Sequence, residues 1–148
     1  MTHFNTAARV TAGYIDGAFS FEHLKTAADG AASTATSEVP VGMARRASKV
    51  LAAYFIPAST LTADDTNYAT LTISKRAAGG GSKTTVASVS TTTTGSGNFV
   101  AWVPVPLTAV AAEVTVTALS QLSFEITKAG TGVVVPIGKL VVYLSDNY

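Results

Sequence analysis

Alternation of apolar and polar side chains, in short segments divided by glycine-rich turns, is the feature that most constrains how this chain can fold. A period of two places successive side chains on opposite faces of a β-strand. From residue 43 onward, seven short strand-like segments, most of them alternating, follow one another at intervals of about 8–15 residues, which predicts an antiparallel β-sandwich or jelly roll. The clearest segments are YATLTISKR (68–76), EVTVTA (113–118) and LSFEITK (122–128), and the clearest turns are AAGGGSK (77–83), GSGN (95–98) and AGTG (129–132).

The alternation also predicts which side chains fill the core, because one face of each strand is buried and the other meets solvent. In FVAWVPV (99–105), Pro104 and the following Pro106 cannot donate to a ladder, so we expect this strand at a sheet edge. The side chains expected to point inward are Ala69, Leu71, Ile73, Phe99, Ala101, Val103, Val105, Val114, Val116, Ala118, Leu122, Phe124 and Ile126.

Two segments, KVLAAYFI (49–56) and KLVVYL (139–144), are apolar on both faces. Such a strand is either central and covered on both sides, or one of its faces meets another subunit. A sandwich of this size has only two layers, so we expect a face that meets another copy of the chain. The residues expected near that contact are Val50, Ala52, Tyr54, Val141 and Tyr143.

The first 42 residues are expected to form an extended arm, distinct from a β-domain over residues 43–148. Glycines and the small-residue run DGAASTATSEVPVG (29–42) leave too little apolar mass for independent folding. Within this arm, FSFEHLKTAA (19–28) has the spacing of a short helix. We expect the arm to become ordered by docking its large apolar side chains on neighbouring protein. These are Phe4, Tyr14, Ile15, Phe19, Phe21 and Leu24.

The segment GVVVPIGKL (132–140) has the outline of a phosphate-binding loop but not its chemistry. Five residues separate Gly132 from Gly138, where that loop has four, and Leu140 stands where a Ser or Thr must reach Mg²⁺. The residues between the two glycines favour extended chain. We therefore predict a strand and a turn here, and no nucleotide.

The acidic residues have structural explanations. Glu113 and Glu125 lie on strand faces among Thr and Ser, where a solvated position accounts for them without glycoside hydrolysis. Asp64 and Asp65, close to Asn67, lack the alternating ligands and the glycine of a calcium loop. An Asx turn leading into the next strand is expected instead.

Other features argue against catalysis and against two classes of partner. The histidines His3 and His23 share no metal-ligand spacing, the chain has no cysteine, and no G-x-S-x-G turn occurs, so we predict no enzyme, no metal and no cofactor. A balance of 10 basic and 9 acidic residues, net charge +1, does not indicate nucleic-acid binding. The longest apolar stretch, VLAAYFIPA (50–58), is too short to cross a membrane, and no secretory signal is expected at the start.

Two surface features are candidates for contact with a partner. Arg45, Arg46 and Lys49 form one basic cluster, which is either a solvated strand start or a contact with an acidic protein surface. Trp102 is expected opposite the core face together with Val100. Its ring is either a platform on which a sugar stacks or an anchor in a protein interface. The alternative is that the ring is buried under the arm or under loops. Charged residues make up only 13% of the chain, against about 25% in typical proteins, which fits a surface partly hidden against partners.

Three stretches of the β-region carry a family resemblance: AAYFIPASTLTADDTNYATLTISKRAAGG (52–80), GSGNFVAW (95–102) and LSFEITKAGTGVVVPIGKLVV (122–142). The most characteristic part is FEITKAGTGVVVP. These stretches resemble small head proteins of tailed bacteriophages, namely the capsid decoration (cement) proteins and their relatives. The resemblance spans roughly residues 50–144, leaves the arm unmatched and contains no functional site whose residues could be carried over.

The resemblance implies a virion protein on the surface of the phage head, made in the cytoplasm of the host bacterium. Its partners would be the major capsid protein and further copies of itself, in a homotrimer that suits three-fold capsid sites. One alternative is a head-fibre, tail or fibre-base module that binds host glycan through Trp102. A second is a wall-degrading hydrolase, which the missing histidine and carboxylate constellations argue against.

Overall fold

The structure, a computed structural model, describes residues 18–25 and 36–146. This part of the chain consists of β-strands, loops and one short 3₁₀ turn, Ala111–Glu113. The strands are β1 (Ala18–Lys25), β2 (Ser37–Met43), β3 (Ser48–Pro57), β4 (Ala69–Ala77), β5 (Gly80–Ser90), β6 (Val105–Pro106), β7 (Thr108–Ala109), β8 (Thr115–Val116), β9 (Gln121–Lys128) and β10 (Gly138–Asp146).

The strands form two antiparallel sheets. The first sheet has the order β1-β10-β3-β6, and β8 also pairs with β3. The second sheet has the order β2-β9-β4-β5-β7. Every strand pair is antiparallel, so the predicted all-β, antiparallel class is confirmed. The proline-containing strand β6 lies at an edge, as its missing amide donors require.

The core lies between the two sheets and is built around three phenylalanine rings. Phe55 of β3 stacks on Phe124 of β9 with ring centroids 6.0 Å apart, which joins the first sheet to the second. Phe99 meets Phe55 at 6.3 Å from the loop that precedes β6. All three rings are buried. Burying such a side chain is worth about 1.5–3 kcal/mol, so this contact is a main reason that the sheets pack together.

Most of the predicted inward side chains are buried. Those confirmed are Ala69, Leu71, Ile73, Phe99, Val105, Val114, Val116, Leu122, Phe124 and Ile126. The prediction was wrong for Val103 and Ala118, which are exposed, and Ala101 is only half-buried. The reason is local: the chain turns at residues 101–102 and again at 118–119, where the alternation of a strand no longer applies.

A β-bulge in β3 corrects the expected position of Val50. Leu144 pairs with Val50 and Tyr143 pairs with Ala52, so Leu51 is the extra residue on β3. An extra residue reverses the in-out alternation on one side of it. Val50 therefore faces the core together with Phe55 and is 3% exposed, so it cannot contribute to a contact on the outer face.

The described parts of the first 42 residues lie at sheet edges. Strand β1 pairs with β10 over eight residues, and β2 pairs with β9. The prediction of a short helix from residue 19 is wrong as far as Lys25, where the chain forms β1 instead. The edge of β10 supplies a hydrogen-bond partner for the backbone along the whole strand, whereas a single short helix is only marginally stable. The boundary at residue 42 falls inside β2, and the division into arm and β-domain stays a prediction.

Candidate functional site

The residues predicted to contact a partner fall into separate regions. Phe4, Tyr14 and Ile15 lie outside the described residues. Phe19, Phe21 and Leu24 belong to β1, at the register positions of Leu144, Val142 and Lys139 of β10. Arg45 and Arg46 are exposed in the segment that crosses from β2 to β3. Tyr54, Val141 and Tyr143 come together on the outer face of the first sheet, and Trp102 stands apart in a turn.

The outer face of the first sheet, around Tyr54 and Tyr143, is apolar. The two rings meet edge-on with centroids 6.3 Å apart. Val141 pairs with Tyr54 across the strands and is only 7% exposed, although it points away from the core between the sheets. The tyrosine rings thus cover part of this face themselves, and Tyr143 remains 43% exposed.

Trp102 occupies a turn that we call the tryptophan turn, residues 99–103. Its side chain is 75% exposed, so the expected outward position is confirmed and burial under loops does not occur in the described part of the chain. Its backbone φ of +63° lies in the left-handed region, which residues other than glycine rarely adopt. Val100 and Val103 are exposed on either side of it.

The outer face of the second sheet carries a network of charges that spans four strands. Glu38 of β2 accepts hydrogen bonds from the Ser123 hydroxyl at 2.6 Å and from the Arg76 guanidinium at 3.1 and 3.2 Å. The Lys83 ammonium lies 2.6 Å from Glu125 and 3.5 Å from Glu38. Each charged group in this network is therefore neutralised by a neighbour. A shallow cleft of about 250 Å³ opens beside it, between Glu38, Arg76 and Gln121.

These contacts shift the ionisation of two members of the network. The hydrogen bond from Ser123, with smaller contributions from Arg76 and Lys83, holds the pKa of the Glu38 carboxyl below its ordinary value. The hydrogen bond and the charge of Glu125 raise the pKa of the Lys83 ammonium. Both shifts favour the charged forms, so the ion pairs among Glu38, Glu125, Arg76 and Lys83 are kept near neutral pH.

The two carboxylates expected on strands each pair with a different lysine, and Glu113 lies in the 3₁₀ turn before β8 rather than on a strand, which corrects the expectation for it. Glu125 is buried rather than solvated, which corrects the expectation, because Lys83 reaches across the sheet to it. Glu113 lies 3.0 Å from the Lys75 ammonium, which also donates to the carbonyl oxygens of Glu113 and Thr115. The sequence signal for these contacts was weak, since cross-strand ion pairs depend on register.

The acidic turn before β4 has the predicted Asx geometry. One carboxylate oxygen of Asp64 accepts hydrogen bonds from the backbone amides of Thr66 at 2.7 Å and Asn67 at 2.8 Å. These bonds, that from Asn67 first, hold the pKa of Asp64 below its ordinary value. Asp65 accepts from the amide and the hydroxyl of Thr93, so both carboxylates fasten loops together.

The stretch with the outline of a phosphate loop is irregular chain that leads into β10, so the predicted turn is present at Gly132 but the strand begins only at Gly138. Residues 132–137 have no regular secondary structure, and Gly138 is the first residue of the strand. A Cβ atom on Gly138 would lie 2.6 Å from the Ile56 carbonyl oxygen and 2.6 Å from the Phe55 ring. The glycine is needed for close packing of backbone on the core, which accounts for it without a phosphate.

Within residues 18–25 and 36–146, no three His, Cys, Asp or Glu side chains gather as a metal site would require. No helix in the same part of the chain is long and apolar enough to span a membrane. No model of a known protein family matches the chain, and neither a curated protein nor a solved structure does. Its function must therefore be inferred from its own residues.

Proposed function

We propose that the chain is a structural protein of a phage virion, a decoration (cement) protein that binds and stabilises the shell of the head. The observation that carries the proposal is a contrast between two kinds of surface. Charged side chains of the second sheet neutralise one another, whereas apolar side chains stand exposed on the first sheet and in the tryptophan turn. Exposed apolar groups on a rigid scaffold are typical of a protein that binds other proteins.

The family resemblance adds the identity of the partner. Its stretches span both sheets and imply the major capsid protein of a tailed phage, with the decoration protein on the head surface and the chain made in the host cytoplasm. A decoration protein that binds only the assembled shell stabilises it by mass action, by about 2.7 kcal/mol for each site at a free concentration of 100 times the Kd. This role requires no catalytic group and no cofactor.

Self-association is part of the proposal. Tyr54, Val141 and Tyr143 are the candidate contact residues, because they form an apolar patch on the outer face of the first sheet. The homotrimer is taken from the resemblance, since a trimer matches the three-fold positions of a capsid. The Arg45 and Arg46 pair, exposed at the corner between the sheets, would meet an acidic part of the shell.

A second candidate is a head-fibre, tail or fibre-base module that binds host glycan. The specific observation in its favour is the exposure of Trp102, because an exposed tryptophan ring can stack on the apolar face of a sugar.

Imaging of assembled particles separates these functions. Heads of the phage that encodes the chain would be prepared with the chain and without it, and the density on the two would be compared. We expect additional density on the outer surface of the head and a higher temperature of shell disruption. Density confined to the tail or to fibres, or the absence of the chain from the particle, would contradict the proposal.

A further inference from the structure

We infer that Trp102 is a preorganised anchor that enters an uncharged, apolar pocket of the shell protein. The inference rests on the proposed function and names the part of the chain that makes the decisive contact. It is drawn from the conformation of the tryptophan turn, from the bonds that hold this turn, and from the absence of charged residues in the chain segments that form and hold it.

The conformation of Trp102 is unfavourable by itself. A non-glycine residue in the left-handed region costs about 1–2 kcal/mol, because its Cβ crowds the following carbonyl group. No packing of the indole offsets this cost, since the side chain is 75% exposed. Such strain can be retained for function, but Leu119 shares the same φ, so what distinguishes Trp102 is this conformation together with a large exposed ring between exposed Val100 and Val103. The left-handed φ of +63° directs a large apolar ring away from the protein.

The turn that presents the ring is held on both sides. Phe99 is fully buried and exchanges two backbone hydrogen bonds of 2.9 Å with Leu61. The Trp102 amide donates to the Pro57 carbonyl oxygen at 2.8 Å, and the Val103 amide closes the turn onto Val100 at 3.1 Å. Because the backbone that carries the ring is already fixed, no loop has to become ordered on binding, so the ring contributes more affinity than one on a mobile loop would.

The chain segments that form and hold the tryptophan turn contain no charged residue. The turn lies in a stretch, residues 84–112, without any Asp, Glu, Lys, Arg or His. The two stretches that flank it at the end of the first sheet, residues 50–63 and 129–138, have none either. The carbonyl oxygen of Pro57, the last residue of β3, accepts a hydrogen bond from the Trp102 amide. The next residue, Ala58, donates its amide to the carbonyl oxygen of Ile137, whose side chain is exposed. Trp102, Val103 and Ile137 thus lie on uncharged segments at this end of the first sheet, where the nearest charged register positions are Lys139 opposite Ile56 and Lys25 opposite Gly138.

This environment favours a protein pocket over the other possible occupants. A sugar site pairs its aromatic platform with polar groups that bind hydroxyls, and the amide oxygen of Asn98 is already occupied by the Ala63 amide. Membrane attachment is strengthened by basic residues on the inserting segment itself, and residues 84–112 have none. Trp is among the residues most enriched at the energetic centres of protein interfaces.

The test uses Trp102→Ala and a matched control, Leu119→Ala. Leu119 has the same φ of +63° and is 53% exposed in another turn, so its truncation also removes exposed apolar surface from a left-handed residue. Full-length proteins would be titrated onto heads assembled without the chain, and bound protein would be measured after sedimentation. We expect Trp102→Ala to weaken binding by about 30-fold or more, and Leu119→Ala by less than about twofold.

A second measurement does not depend on any variant. Trp102 is the only tryptophan of the chain, so the protein labelled with 5-fluorotryptophan gives one fluorine resonance. In the free protein the chemical shift of this resonance should change with the solvent, as expected for an exposed ring. On the head the resonance should move to a new chemical shift that no longer changes with the solvent. Because the pocket is uncharged, the factor by which Trp102→Ala weakens binding should differ by less than about threefold between 0.05 and 0.5 M salt, while any salt dependence of the wild type comes from Arg45 and Arg46.

The outcomes distinguish the inference from the proposed function. If wild-type protein does not bind heads, the proposed function fails and the inferred partner fails with it. If wild-type protein binds heads but Trp102→Ala binds equally well and the resonance stays exposed to solvent, only the anchor is refuted. Binding to host polysaccharide or to lipid vesicles that is lost in Trp102→Ala would also overturn the inference, because the pocket would then not belong to the shell protein.

Discussion

Replacing Gly138 by alanine tests how closely the backbone of β10 packs on the core. The added Cβ would lie 2.6 Å from the Ile56 carbonyl oxygen and between 2.6 and 2.8 Å from two atoms of the Phe55 ring. Ordinary van der Waals contact begins near 3.4 Å, so backbone or ring must move by almost 1 Å. The ring is fully buried and stacked on Phe124, and the carbonyl is part of a paired strand, so neither moves freely.

The expected cost follows from overpacking. Insertion of one methyl group into a well-packed core costs about 1–3 kcal/mol. For a chain of this length, such a loss lowers Tm by about 3–10 °C. Thermal unfolding followed by circular dichroism in the far ultraviolet would measure it. Gly138→Ala should lower Tm without loss of ligand binding, because the role of Gly138 is to let the backbone pack closely on the core.

Two further variants make the measurement specific. Gly79→Ala is the matched control, because no atom lies within 4 Å of its added Cβ, and it should leave Tm within about 2 °C of wild type. In a Phe55→Leu background the ring contact is absent, so Gly138→Ala should cost less there than in the wild type; the clash with the Ile56 carbonyl remains. An unchanged Tm for Gly138→Ala in the wild-type background would show that the packing argument is wrong.

Three other predictions concern the charge network, the tryptophan turn and the first strands. The folded state lowers the pKa of Glu38, so the contribution of this carboxyl to stability is present above its ordinary pKa of 4.5 and is lost as pH falls through the folded pKa. Glu38→Gln removes this contribution, so Tm should fall less steeply between about pH 5 and pH 3 in the variant than in the wild type. Trp102→Gly should raise the free energy of unfolding by about 1 kcal/mol by removing left-handed strain, while it weakens attachment to heads as Trp102→Ala does; equal or lower stability in denaturant titration would contradict this. Deleting residues 1–42 removes β1 and most of β2, so we expect a large loss of stability and aggregation through the exposed edges of β10 and β9. An unchanged Tm would show instead that these residues are an arm that the β-domain does not need.

The sequence predicted those strands in which a single physical rule decides the outcome. In β4 and β9 the alternation places Leu71, Ile73, Phe124 and Ile126 in the core, and the structure agrees, because one face of each strand packs on the other sheet. The Asx turn at Asp64 was also predictable, since it depends on residues two and three positions away. Local spacing is enough in both cases.

The sequence did not predict features that depend on a distant partner. The period of FVAWVPV continues through residue 102, so the turn there is invisible until Leu61 and Pro57 are seen to hold it. The bulge at Leu51 depends on its pairing with β10, and β1 exists only because the edge of β10 is free to pair. Likewise, Glu125 lies on the outward face as predicted, but Lys83 from another strand covers it.

The charge network and the tryptophan turn lie on different sheets, and this separates stability from the attachment made by Trp102. Glu38, Arg76 and Lys83 lie on the outer face of the second sheet, whereas Trp102 is bonded to the end of β3 in the first sheet. The structure gives the two groups no contact in common, and the effects of mutations at sites without shared partners usually add. Glu38→Gln should therefore change the acid limit of folding but not the affinity for heads, and Trp102→Ala should do the reverse. The contribution of Trp102 to attachment should therefore be insensitive to salt, because the charges that respond to salt lie elsewhere, in the network of the second sheet and at Arg45 and Arg46.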